Sequence, residues 1–390
     1  MDGSRNSKGS SVATLIAARR FTRRTLLKSA AAAGSLAAMG PWIVRDARSA
    51  SGEVNILIWS DEVPDPIIPN FTKATGIKVN TTPFSQNEEQ INKLQATGGE
   101  GFDLCMPTRD RQPQFQDLGI TQALDPGKMK NFGNLLPAFQ EATKLWEFDD
   151  GLHWVPHVWG SEAISWRTDK TQLEYKKLSY GTMWEEQYKG GVQGRPHSLL
   201  LGIGLWLDHA GKLPSNRMLD SFKDEETFRK LYDEIIKVAV EHKPWIRQFW
   251  DSADNTKSGL MENGVIIGQT WDGPPLSLKK EGKPVGYMAP QEGAIAWIDG
   301  WSLTSGAANV DQAYEWINFI HTAQTAAAAA EGSGYNPVVK GGDALLSPTA
   351  KKLFQEAYPE DALEKLWNRP PEPSWFAELR TQYAEKFKAA

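Results

Sequence analysis

A chain of 390 residues exceeds what one ordinary hydrophobic core encloses and suits two lobes of roughly 150 residues each. Charged and apolar residues stand near globular averages, which excludes bulk disorder, and the single cysteine, Cys105, excludes an intrachain disulfide and a cysteine-based zinc site. The net charge of −5 hides an uneven spread: residues 1–50 hold nine Lys/Arg and two Asp/Glu, leaving 34 basic and 46 acidic residues beyond them, a balance that excludes a nucleic-acid binder and suits cationic partners.

The chain opens on an address. Thr22-Arg23-Arg24-Thr25-Leu26-Leu27-Lys28 places two arginines before apolar residues, an alanine-rich stretch from Ser29 to Val44 follows, and small residues around Ala47-Arg48-Ser49 offer a cleavage site. This order resembles a twin-arginine export signal over residues 1–50. Gly34, Gly40 and Pro41 interrupt the apolar run and leave it too short to span a membrane. The mature chain is therefore expected to start near Ser49 to Gly52 and to be free in the periplasm, without a membrane span.

Val54–Trp59 reads as a buried strand, Ile67–Thr75 as an amphipathic helix stopped by Gly76, and Ile77–Asn80 as a second strand. Glu88–Ala96 reads as a helix and Phe102–Met106 as a third strand, in which Cys105 is expected to be a buried, inert thiol. This β-α-β-α-β order predicts an α/β fold with a mostly parallel sheet flanked by helices. The pattern recurs: Ser198–Gly204 reads as a strand or the start of a helix, Glu225–Glu241 as a helix, and Gly264–Trp271 and Ala294–Asp299 as strands. A long helix is expected over Val310–Ala330, stopped at Gly332-Ser333-Gly334, with two further helices in Pro348–Ala390. No linker separates the two sheets, so the lobes are expected to share crossing strands and a hinge. One lobe is placed at 51–158 plus about 300–345, the other at 159–299 plus about 346–390.

In open α/β sheets, ligands bind beyond the carboxyl ends of the strands. Four such ends carry one chemistry: Trp59-Ser60-Asp61-Glu62, Thr108-Arg109-Asp110-Arg111, Trp271-Asp272 and Trp297-Ile298-Asp299. An indole face attracts an ammonium by roughly 0.5–2 kcal/mol when water is excluded, and a carboxylate adds a charge-assisted hydrogen bond. Most of the 16 tryptophans are packing anchors on this reading, and the strand-end ones wall a cleft for an amine.

The motifs Ile58-Trp59-Ser60-Asp61-Glu62-Val63-Pro64, Phe102-Asp103-Leu104-Cys105-Met106-Pro107 and Val155-Pro156-His157-Val158-Trp159-Gly160 are followed by Ile267-Gly268-Gln269-Thr270-Trp271-Asp272-Gly273, Trp297-Ile298-Asp299 and Ser333-Gly334-Tyr335-Asn336-Pro337. In this order they resemble the spermidine/putrescine-binding proteins of bacterial polyamine ABC importers. The resemblance implies a two-lobe periplasmic-binding-protein fold with a ligand cleft at the hinge, a monomer that delivers its solute to a membrane permease, and no cofactor. It also implies that Asp299 grips an amine, that Trp59, Trp271 and Trp297 flank the ligand, and that Tyr335 closes one end. Ser60, Asp61, Glu62, Thr108, Arg109, Asp110, Arg195 and Asp272 complete the expected ligand-binding set. Two departures stand out: Arg109-Asp110-Arg111 occupies a position where the family usually carries aromatics, and Arg195-Pro196-His197-Ser198 one where it usually carries carboxylates. A guanidinium there accepts a carboxylate and repels a second ammonium. A zwitterionic amine, such as an ω-amino acid or a betaine-like compound, is thus an alternative to putrescine or spermidine.

Other readings fall away. His153 and His157 have i,i+4 spacing, but Pro156 breaks any helix and the glutamate of a zinc protease is missing, so no metal is expected. Gly202-Ile203-Gly204 lacks the third glycine of a dinucleotide fingerprint, and neither a Gly-x-Ser-x-Gly elbow nor a phosphate loop occurs. A periplasmic enzyme on the same scaffold would need a nucleophile–base pair at the strand ends, and the histidines do not supply one, so no catalytic residue is expected.

Overall fold

Strand β1 (Gly52–Trp59) buries Val54, Ile56, Leu57, Ile58 and Trp59, the near-continuous apolar run of a parallel strand covered on both faces. It belongs to a computed structural model that describes residues 52–390; the expected export signal lies outside the described residues. Helices α1 (Ile67–Thr75) and α2 (Asn87–Thr97) connect β1 to β2 (Ile77–Phe84) and β2 to β3 (Leu104–Cys105), and β1 pairs in parallel with both strands. Helix α1 ends where Gly76 adopts φ 78° and its N–H reaches the Thr72 carbonyl at 2.8 Å, a left-handed cap.

Two long strands carry the chain between lobes. Strand β4 (Val155–Arg167) is buried over almost its whole length, and β8 (Ile295–Thr304) runs antiparallel to it, with Trp297 opposite Gly160. The register shifts between Asp299 and Gly300; beyond the shift β8 pairs with β3, Ser302 opposite Cys105. One strand thus belongs to both sheets, and Asp299 stands at the irregularity where it passes from one to the other. In the second lobe β7 (Ile267–Trp271) pairs antiparallel with β4 and parallel with β5 (Val192–Gly194), which pairs in parallel with β6 (Ile246–Phe249). The combined order is β2-β1-β3-β8-β4-β7-β5-β6.

Two expected elements differ. After helix α3 (Pro137–Thr143) the next long helix is α4 (Pro196–His209), and Ser198–Gly204 lies inside it. Leu199, Leu200, Leu201, Ile203 and Leu205 are all buried, so no polar stripe marks the helix in sequence, while Pro196 sits at its first turn, where a missing N–H costs nothing. The expected long helix over Val310–Ala330 is two helices, Val310–Ile320 and Ala323–Ser333. Thr322 caps the second by accepting from the Thr325 N–H, and the His321 ring turns inward to donate to the Pro156 carbonyl at 2.8 Å. The two C-terminal helices occur at Pro348–Ala357 and Ser374–Ala389.

Cys105 is fully buried, and burial pushes its thiol far above the usual range, so it is inert packing. Trp146, Trp154, Trp250, Trp301 and Trp316 fill the cores. Among the described residues no helix is long and apolar enough to cross a membrane.

Candidate functional site

The strand ends meet at one cavity, which encloses about 570 Å³ of space free of atoms, its open mouth included. Its acidic side is built by the loop after β1 and the bend of β8. Trp59, Asp61 and Glu62 come from the first, Trp297 and Asp299 from the second, and Tyr335 follows the helix that stops at Gly334. The Tyr335 hydroxyl donates to Asp61 Oδ2, and its ring stands edge-on to Trp297 with centroids 4.8 Å apart. Trp59 meets Trp271 edge-on at 5.9 Å. Thr108 is bridged to Asp299 and is itself held by Asn87, whose side-chain N–H donates to Thr108 Oγ1 at 2.8 Å. His157 is buried with its pKa lowered to about 4, chiefly by burial; neutral, it donates to the Glu62 carbonyl at 3.1 Å and fixes the loop.

Close approach of these rings depends on two glycines. A Cβ at Gly160 would lie 2.4 Å from the Trp297 ring and 2.6 Å from Asp272, and one at Gly273 would lie 2.5 Å from Tyr335. Both positions follow a motif tryptophan, Trp159 and Trp271 with Asp272 between, which is why those motifs end in glycine.

Asp299 and Glu62 are held in the uncharged form more readily than free carboxyls. Burial raises Asp299 to about 7, and burial together with the neighbouring Asp299 charge holds Glu62 well above its ordinary value. Asp299 and Glu62 share a hydrogen bond, the Glu62 carboxyl donating and Asp299 accepting, whereas the indole N–H groups of Trp59 and Trp297 have no partner. Buried polar atoms left this way await a donor or acceptor. A cation beside the carboxyl pair would supply the positive charge that it lacks.

The opposite side is rich in guanidinium. Arg111, Arg195, Arg369 and Arg380 line the cavity with His197, Glu88, Glu162 and Asp110. Arg111 Nη1 lies 2.9 Å from Glu372 and 3.2 Å from Glu88, Arg380 lies 2.6 Å from Glu88, and Arg369 lies 3.2 Å from Glu372. Asp110, expected to touch the ligand, is 2% exposed and stands 3.5 Å from Arg111.

Three expected residues do not reach the cavity. Ser60 is exposed outside it. Arg109 turns away: its Nε donates to the Ala142 carbonyl at 3.2 Å, and it lines an adjoining hollow with Phe139 and Trp159 that shares Asp110, Trp297 and Arg369 with the cavity. Arg109–Arg111 forms a 3₁₀ turn with about three residues per turn, so Arg109 and Arg111 cannot share a face. Asp272 is fully buried behind the cavity, accepting from Tyr358 at 2.8 Å and from Asn336 at 3.3 Å. Trp271 faces the cavity, and the next residue of an extended chain faces the other way. Asn87, Glu88, Arg111, Glu162, His197, Arg369 and Arg380 line the cavity and had not been assigned to it from sequence. No cluster of His, Cys, Asp and Glu among the described residues is arranged to hold a metal; His153 binds Thr121 and Asp150 instead.

Residues 67–356 match the bacterial extracellular solute-binding protein family. The chain belongs to that family. Its members include relatives at modest identity: the spermidine/putrescine-binding periplasmic protein of Escherichia coli is 28% identical over 303 residues, covering 77% of this chain and 82% of that protein. The putrescine-binding periplasmic protein PotF of the same organism is 25% identical over 353 residues, covering 86% and 91%. Among solved structures, the spermidine/putrescine ABC transporter substrate-binding protein PotD from Streptococcus pneumoniae superposes with a TM-score of 0.68 at 23% identity, over 87% of this chain and 99% of that one. This solute-binding protein therefore has the two-lobe periplasmic-binding-protein fold.

Proposed function

We propose that this solute-binding protein is the periplasmic receptor of an ABC importer and captures a small aliphatic amine, the class to which the solutes of its polyamine-binding relatives belong. The observation that carries the reading is the buried carboxyl pair Asp299–Glu62, hydrogen-bonded to each other without a cation beside them and walled by Trp59, Trp297 and Tyr335. An ammonium there gains charge-assisted hydrogen bonds and the attraction of two indole faces. It bridges the loop after β1, in one lobe, and the bend of β8 that leads into the other, so its binding favours the closed arrangement, which the permease then recognises. The proposed lobes are 51–158 with about 300–345, and 159–299 with about 346–390. Export through a twin-arginine signal would deliver the chain to the periplasm, where a monomer suffices for the role. No step of it is catalytic.

A thermal-shift screen of the mature protein against diamines, polyamines, ω-amino acids and betaines tests the reading. A ligand at about 100 times its Kd stabilises the folded state by roughly 2.7 kcal/mol, a rise of several degrees. If only sugars or inorganic anions raise the melting temperature, the amine reading fails.

Amine affinity should also depend on pH. The Asp299 carboxyl of the free protein holds its proton up to about pH 7, because burial disfavours its charge. An ammonium needs that carboxyl ionised, so binding displaces a proton. Affinity is expected to fall by up to about tenfold per pH unit as pH drops below 7 and to level off above it. Calorimetric titration at pH 5.5 and 8 gives the comparison; equal affinities would rule out an ammonium at this carboxyl.

A further inference from the structure

We propose that the solute is bipolar: an ammonium at Asp299 and Glu62, and a carboxylate at Arg195 and the first turn of helix α4. The proposal rests on the amine reading and narrows it to one class, the ω-amino acids and related zwitterions.

Arg195 carries it. The residue is 8% exposed and lines the same cavity as Asp299. Its guanidinium lies between two indoles, 5.3 Å from the Trp250 ring centroid and 5.0 Å from that of Trp271. Those faces fix the plane of the fork and shield it from water, but they neutralise no charge. Among the described residues no carboxylate lies within ion-pair distance of Arg195. The acids whose charge it feels most make their direct contacts with other groups. Glu162 accepts from Ser198 Oγ at 3.0 Å and from Gln269 at 3.2 Å, and Glu88 is held by Arg111 and Arg380. The other three arginines of this side share Glu88 and Glu372. Arg195 is the guanidinium of this side without a direct ion pair; the charges of Glu162 and Glu88 reach it only from beyond ion-pair distance.

A buried, charged fork with unused donors costs several kcal/mol unless something pairs with it. A planar carboxylate fits two of its N–H groups at once. The backbone adds to the site. Arg195 is the residue just before the fourteen-residue helix α4, whose first amides have no acceptor within the helix and whose dipole presents its positive end. His197, in that first turn, also lines the cavity; burial and the four surrounding guanidiniums keep its ring neutral, able to donate one hydrogen bond. A second ammonium at this place would instead face Arg195, Arg111, Arg369 and Arg380 in a water-poor cavity, where like charges repel strongly. Trp271 touches both sides, edge-on to Trp59 and under Arg195, so a methylene chain lying along it would join the two charged ends.

The test is isothermal titration of the mature protein with chain-matched probes: putrescine and cadaverine against γ-aminobutyrate, δ-aminovalerate and ε-aminocaproate, with valerate as the amine-free control. The best ω-amino acid is expected to bind at least about tenfold more tightly than any diamine or than valerate. In Arg195→Gln its affinity should fall by about 30- to 100-fold while diamine affinity holds or rises. Arg195→Lys, which keeps the charge and loses the fork, should fall in between, and it provides a folded comparison if the glutamine variant is unstable. A diamine binding the wild type as well as the ω-amino acids do overturns the bipolar ligand and leaves the amine reading standing. Valerate matching the ω-amino acids, or no binding by any amine, removes the amine reading and the bipolar ligand with it. Unchanged ω-amino acid affinity in a folded Arg195→Gln removes Arg195 from the site.

Discussion

Replacing Asp299 by asparagine is expected to weaken amine binding by roughly 10²- to 10³-fold, the scale of truncating one member of a buried, hydrogen-bonded charge pair. The substitution is nearly isosteric. The side chain keeps its place at the irregularity of β8, and its contact with Thr108 survives. What is lost is the negative charge offered to the ligand. The free protein should not suffer. Glu62 and Asp110 no longer face a like charge at this position, and the asparagine carbonyl can still accept from the Glu62 carboxyl. The expected signature is therefore split: a melting temperature of the free protein equal to or above that of the wild type, with the ligand-induced rise gone. Calorimetry with the tightest amine measures the loss directly. A dissociation constant within twofold of the wild type would show that Asp299 does not hold the ammonium.

That split is predictable because the acidic side of the cavity was legible in the sequence and the basic side was not. Trp59, Asp61 and Glu62 stand at the carboxyl end of an apolar run, where α/β sheets present ligands, so their position follows from the strand pattern alone; Trp297 and Asp299 reach the cavity from the middle of β8, which runs on to Thr304 past the end expected at Asp299, because the strand is bent there. Tyr335 follows a helix stop, and the resemblance to a known family placed it. The sheet order and the crossing strands follow from the same runs, because long apolar segments without linkers leave few ways to pair. Glu88 is a first-turn acid of a helix, a place where acids occur for reasons of the helix dipole alone. Arg380 sits in the C-terminal helix among charges that read as its solvent face, yet it is 4% exposed. Arg369 and Glu372 lie outside any regular element, and only tertiary contact brings them to the cavity. Glu162 did carry a signal: it is a carboxyl in the middle of a strand buried at twelve of its thirteen positions, its own included, which demands buried partners. Arg109 and Arg111 were read as one group, and the 3₁₀ turn separates them.

Glu372→Gln is expected to lower the stability of the whole protein by about 3–5 kcal/mol, the cost of removing one partner from a buried ion cluster. Glu372 is fully buried. Its carboxylate lies 2.9 Å from Arg111 Nη1, 3.2 Å from Arg369 Nη1 and 3.5 Å from Arg380 Nε. The contact with Arg111 is close without being an aligned hydrogen bond, so charge carries most of it. Its backbone is tied as well: the N–H donates to the Asp110 carbonyl at 2.7 Å, and the carbonyl accepts from Gln114 at 3.2 Å. A glutamine keeps those backbone bonds and the volume, but it leaves Arg111 and Arg380 with Glu88 as their main acid and Arg369 with Asp110. Glu88→Gln should cost less, because the Glu88 side chain is 38% exposed and water can replace it. The sign with pH follows from the pKa. Burial alone would raise Glu372, but Arg111, Arg380 and Arg369 outweigh it and hold the carboxyl below its ordinary value. Its stabilisation is thus complete above the unfolded pKa of about 4.3 and fades as pH falls through the lower folded value. Urea unfolding of wild type and Glu372→Gln should show midpoints far apart at pH 7 and converging on acidification. Because the cluster joins helix α2 and Arg111 to the C-terminal segment, the variant should also spend more time with its lobes apart, seen as a larger radius of gyration in solution scattering without ligand. Coincident urea midpoints at pH 7 would mean that the three arginines are adequately solvated without Glu372 and that the cluster does not hold the lobes together.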